Sequence, residues 1–142
     1  MSEASTPFPR ISQTVIDATD VRALAEFYRQ LFGLVYRPGD EADSEGHVAD
    51  WLVLRDPDRR VQLAFQQVPD LPRPAWPDGE PPQMMHLDTT VPDLSELELQ
   101  RQRAMTLGAT LLLDRSDDEE EALYVFADPA GHPFCIFVSA PD

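Results

Sequence analysis

The chain has 142 residues, 42% hydrophobic and 8% aromatic, enough for one globular domain with a real core and not the make-up of a disordered chain. Eleven Lys and Arg against 26 Asp and Glu leave a net charge of −15, which repels phosphate backbones and argues against nucleic-acid binding; it is compatible with a cationic ligand, but also serves solubility alone. No apolar stretch approaches a membrane span, the opening MSEASTPFPR has no apolar signal core, and one cysteine cannot make an internal disulfide, so a cytoplasmic protein is expected.

In chain order, RISQTVIDAT alternates enough to predict a strand. DVRALAEFYRQLFG predicts a helix with Asp20 as N-cap and Gly33 as its stop, its apolar face carrying Val21, Leu24, Phe27, Tyr28 and Leu31. LVYRPGD, ADWLVLRDPD and RVQLAFQQV predict three strands joined by Gly, Pro and Asp turns. Six prolines between Pro69 and Pro82 predict an extended connector, since proline cannot sit in a helix interior or a central strand. MMHLDTTVPD, a helix from Asp93 to Gly108, and then ATLLLDR, ALYVFADPAG and HPFCIFVS repeat the earlier order. The chain thus reads as one domain, 1–142, built from βαβββ modules at 10–68 and 84–138 with the connector at 69–83.

Candidate chemistry is sparse. His132 and Cys135 lie three residues apart, so on a strand they point to opposite faces and do not share a ligand; His132 is expected in a solvent-exposed turn. His86, Asp88 and Thr90 fall on one face of their strand, with Met85, Leu87, Thr89 and Val91 on the other. Asp88 is placed to influence the charge of His86. Trp51 is expected in a packing or cleft-wall role, and Trp76, among prolines, as a lid or interface residue. The acidic run from Asp117 to Glu121 reads as a solvated hairpin loop. Phosphate-cradling glycine loops, G-x-S-x-G and C-x-x-C are all missing, so nucleotide and Ser-nucleophile chemistry have no support.

The run from 14 to 34 ending in LFGL, HLDTTVPDL…LGA at 86–109 and FADPAGHPFCIF at 126–137 resemble the vicinal oxygen chelate superfamily of glyoxalase and bleomycin-resistance proteins. LAFQQVP and DPAGHPFC narrow the resemblance to a glyoxalase-like subgroup. It covers residues 10–138 and implies an α+β fold in which two βαβββ modules form a curled mixed sheet around a cleft, often in a homodimer. Metal-dependent relatives place one ligand on the first and last strand of each module, and the resemblance carries those places onto Gln13, Gln62, His86 and Cys135. Counting from Asp56-Pro57 leads instead to Leu63, and strand alternation favours Gln62.

Two amides, one imidazole and one thiol lack the carboxylates a hard dication needs. The expectation is a binder of a small organic ligand in a cleft lined by Gln13, Gln62, His86, Asp88, Cys135, Trp51 and Trp76, without a tight metal site or other cofactor. The alternative is a lyase, isomerase or dioxygenase relative that uses His86 with a divalent ion, Gln13 being the other candidate ligand, or as a general base.

Overall fold

The computed structural model describes residues 11–42, 48–58, 60–76 and 78–139; Arg10, taken as the start of the first module, and Pro77 of the connector lie outside them. The elements are β1 (Thr14–Ala18), α1 (Val21–Phe32), β2 (Val35–Tyr36), β3 (Trp51–Arg55), β4 (Gln62–Gln67), β5 (Leu87–Val91), α2 (Leu94–Leu107), β6 (Thr110–Arg115), β7 (Leu123–Ala127) and β8 (Pro133–Val138). They form two four-stranded mixed sheets, ordered β1-β4-β3-β2 and β5-β8-β7-β6. In each sheet the first strand pairs in parallel with the last, and the other pairings are antiparallel. The two modules are therefore topological copies, α+β in class. No helix among the described residues is long and apolar enough to cross a membrane.

Both helices start and stop where the caps predict. Asp20 accepts from the Ala23 N–H at 3.0 Å and Asp93 from the Glu96 N–H at 2.8 Å, each satisfying a donor that the first helical turn leaves without a partner. Gly33 closes α1 at φ 67°, a left-handed conformation that glycine adopts without steric cost. The predicted apolar face of α1 is buried at all five positions. Only Val35 and Tyr36 of LVYRPGD form a regular strand, because Pro38 and Gly39 turn the chain at once.

The helix-facing sides of both sheets share one core. Ile16, Leu52, Leu54, Leu63 and Phe65 from the first sheet join Tyr124, Phe126, Phe134 and Ile136 from the second. Helix α1 binds the halves together, since Phe27, Tyr28 and Phe32 all make ring contacts with Phe134 of β8. Beside them the Tyr28 hydroxyl donates to Asp128 Oδ2 at 2.6 Å, and Asp128 is the one fully buried charged side chain among the described residues. Arg103 on α2 donates to the carbonyls of Gln30 and Leu31 at the end of α1, orphan acceptors that the helix terminus leaves free.

The connector is not simply extended. It doubles back so that the Ala75 N–H donates to the Pro81 carbonyl at 2.7 Å, and Ala75 bridges to Pro82. Arg73 reaches across to donate to the Pro129 carbonyl at 2.9 Å. Its side chain lies so close to Gly131, at φ 104°, that a Cβ there would come within 2.9 Å of the Arg73 Cγ.

Candidate functional site

The faces turned away from the helices carry the predicted site residues. On the first sheet the register sets Val15 beside Ala64 and Ala64 beside Val53, with Gln62 beside Arg55 one step along. Gln13, just before β1, joins that second row. The Arg55 guanidinium donates to Gln62 Oε1 at 3.1 Å, and the Gln62 amide in turn donates to Gln13 Oε1. Trp51 lies on the same face as Arg55 and Val53, because residues two apart on a strand share a side.

On the second sheet Asp88 is opposite Cys135, and Cys135 opposite Val125. His86 precedes β5, with its Nε2 3.2 Å from Asp88 Oδ1. One donor atom from each of His86, Asp88 and Cys135 lies within 4.8 Å of the others. The Trp76 ring stands edge-on to the His86 ring, with centroids 5.0 Å apart, so the connector covers this corner. Among the described residues, no hydrogen bond or ring contact joins Gln13 to His86. The structure thus forms two groups of predicted residues, one per module.

Two details of the sequence reading change. The register equates Leu63 with Phe134, the partners of Thr14 and Leu87, so Ala64 and not Gln62 or Leu63 corresponds to Cys135. The cause is the turn before the strand. Asp56 N–H bonds to the Val61 carbonyl, whereas Asp128 N–H bonds to the His132 carbonyl, so the first turn is one residue longer. His132, expected in solvent, is half-buried and its Nε2 lies 2.6 Å from the Asp17 carbonyl oxygen. That carbonyl accepts only, so Nε2 carries the proton.

These positions decide what an ion would find. The first module offers an amide already engaged by its neighbour, an alanine methyl and a guanidinium one hydrogen bond away, so a four-strand site for a hard dication does not fit. The second module alone groups an imidazole, a carboxylate and a thiol, a set suited to a thiophilic ion of the zinc class, which would need the thiolate. Without an ion, burial first and the Asp88 charge second push the Cys135 thiol up to about 11. Cys135 in chelator-treated protein is therefore expected to react slowly with iodoacetamide at pH 8. Asp88→Asn, which removes the charge and keeps the shape, should raise that rate roughly 3–10-fold in a mass-spectrometric time course. An unchanged rate would remove Asp88 as a cause.

A cavity of about 360 Å³ opens between the modules, along the outer edge of β1. Its wall includes Val15 and Asp17 from β1, Gln83, Met84, Met85 and His86 from the approach to β5, and His132, with Tyr28 as a helix-side contributor. Of the residues predicted for the site, His86 alone lines it; Gln13, Gln62, Asp88, Cys135, Trp51 and Trp76 do not. Asp17 could have been found from the sequence, since it stands four residues after Gln13 on the same strand face. Gln83 and the two methionines carry no such signal.

A family profile described as a glyoxalase-like domain matches residues 13–137. No protein of curated function matches. Similar solved structures include a glyoxalase/bleomycin resistance protein/dioxygenase family enzyme from Burkholderia phytofirmans, 18% identical with TM-score 0.64 over 89% of this chain and 96% of that one. The fosfomycin resistance protein FosX from Mesorhizobium loti is 14% identical with TM-score 0.66 over 94% of both chains. FosX from Listeria monocytogenes, solved with Mn(II) and sulfate, is 12% identical with TM-score 0.66 over 94% of both chains. At these identities the likeness concerns the fold.

Proposed function

On the premise that the chain belongs to the glyoxalase-like domain family, we propose that it binds a small organic molecule between its two modules and does so without a tightly held metal ion. One observation supports this most directly: the cavity between the modules has His86 at its rim, while the paired first-module positions hold an engaged amide and an alanine. A volume of about 360 Å³ lies at the compact end of ligand pockets, and the wall is mainly apolar with a few polar groups, as such pockets are. One FosX neighbour was solved with Mn(II), but in this chain the guanidinium of Arg55 beside Gln62 puts positive charge on the cleft face of the first sheet and disfavours a dication there.

The test is a thermal-shift screen of small organic compounds on chelator-treated protein. A ligand at a hundred times its Kd stabilises by about 2.7 kcal/mol, which raises Tm by roughly 5–10 °C for a chain of this size. A hit that survives chelation supports the reading. Hits that appear only after a divalent ion is restored would overturn it.

The grouping of His86, Asp88 and Cys135 supports a second reading, an enzyme with a thiophilic ion. When bound, such an ion polarises a substrate oxygen as a Lewis acid. In that case His86, held by Asp88, and Cys135 would serve as ligands, and Trp76 would keep bulk water from the imidazole side. Stoichiometric zinc in purified protein, lost in His86→Ala, is the result that would favour it.

A further inference from the structure

The polar wall of the cavity includes two acceptors without partners among the described residues. Asp17 presents a carboxylate with no ion-pair partner among the described residues. Gln83 Oε1 is buried there with no hydrogen-bond partner among them either. A buried acceptor left unmade costs free energy that a ligand donor recovers. The His132 Nε2–H is used on the Asp17 carbonyl, so in the neutral ring the remaining Nδ1 is an acceptor too. The Tyr28 O–H is used on Asp128, so it offers the cavity no donor. Around this set lie Val15, Met84 and Met85, all exposed, with Met84 93% and Met85 75% accessible. Long, soft thioether side chains of this kind adapt to the shape of an apolar body.

From this wall we infer that the cavity takes a small primary or secondary amine on an apolar body, its ammonium group facing Asp17 and Gln83. The inference rests on the reading of the chain as a small-molecule binder and names the class of ligand. An ammonium supplies several donors and one positive charge, and so meets the carboxylate and the orphan amide oxygen together. A carboxylate ligand would meet acceptors and a negative charge at the same places. The net charge of −15 adds a long-range attraction of the same sign. None of Asp17, Gln83 and His132 belongs to the group formed by His86, Asp88 and Cys135, although His86 lines the same wall, so the amine is titrated into chelator-treated protein.

Calorimetric titration with three compounds of one shape tests the inference: phenethylamine, N-acetylphenethylamine and 3-phenylpropanoate. The expected result is binding of the amine alone, weakened at least tenfold by Asp17→Asn and several-fold by Gln83→Leu. Circular dichroism and an unchanged melting curve for Asp17→Asn would show that the fold is intact, as expected when His132 uses the backbone oxygen of Asp17 and not its carboxylate. Equal or tighter binding of the acetylated or anionic compound would overturn the amine assignment and leave the small-molecule reading standing. Amine binding that Asp17→Asn does not weaken would overturn the site. Silence from all three, together with no hit in the wider screen, would overturn both.

Discussion

Replacing Phe134 by alanine is expected to destabilise the protein by about 3–5 kcal/mol, read as a shift in urea-unfolding midpoint at constant slope. Phe134 is fully buried, and its ring contacts Phe27, Tyr28 and Phe32 of α1 and stacks on Phe126, 5.2 Å away. The substitution therefore removes a large apolar side chain and leaves a cavity where the two modules meet. Partial collapse is limited because the neighbours are aromatic rings fixed on separate elements. Against a total stability of about 5–15 kcal/mol for an ordinary domain, such a loss is severe. Phe137→Ala, at a half-buried position three residues along the same strand, should cost clearly less. Similar losses at both positions would mean that the modules are not held together through Phe134.

The second large effect is expected at Asp128. Its Oδ2 accepts from Tyr28, while Oδ1 accepts from the N–H groups of Ala130 at 2.9 Å and His132 at 3.0 Å. Alanine would leave these donors without partners in a dry place, at a cost of roughly 2–4 kcal/mol. Asparagine keeps an acceptor for the backbone donors and should cost about 1 kcal/mol. The carboxyl also gives a pH signature. Burial, the largest cause, raises its pKa in spite of the hydrogen bonds that lower it. The unfolded chain then ionises first as pH rises, so this group's contribution to stability declines between the ordinary carboxyl pKa and the raised folded one, and is restored on acidification. Asp128→Asn should flatten that segment of the stability-versus-pH curve relative to wild type. Parallel curves for the two proteins would show that the folded carboxyl is not shifted upward.

Legibility from the sequence followed the range of the forces involved. The face of α1 was readable because Val21, Leu24, Phe27, Tyr28 and Leu31 repeat at helical spacing, and its ends because Asp20 and Gly33 act within one turn. The duplication was readable because both copies keep the same order of elements. At the candidate site, local reading placed His86, Asp88 and Thr90 on one exposed strand face, as the alternating burial of β5 shows. It misplaced the counterpart of Cys135: the count from Asp56 stopped at Leu63 because the turn to Val61 holds one extra residue, and alternation found the right face but chose Gln62, two residues before Ala64. It could not place His132 against Asp17, a contact spanning 115 residues that only the meeting of the modules creates. The same meeting brings Gln83 and Met85 to the wall of the cavity from a stretch whose prolines say only that it is irregular.

The folded-back connector changes how the two halves find each other. Stretched out, the 14 residues from Pro69 to Pro82 would reach about 46–50 Å. The bridge from Ala75 to Pro81 and Pro82 and the grip of Arg73 on Pro129 shorten this tether and fasten it to its own chain. Each half then meets its sibling at an effective concentration in the millimolar range, far above that of any half on another molecule. Swapping halves between molecules has to release the clasp first, so the barrier to such exchange lies in the linker as well as in the aromatic seam.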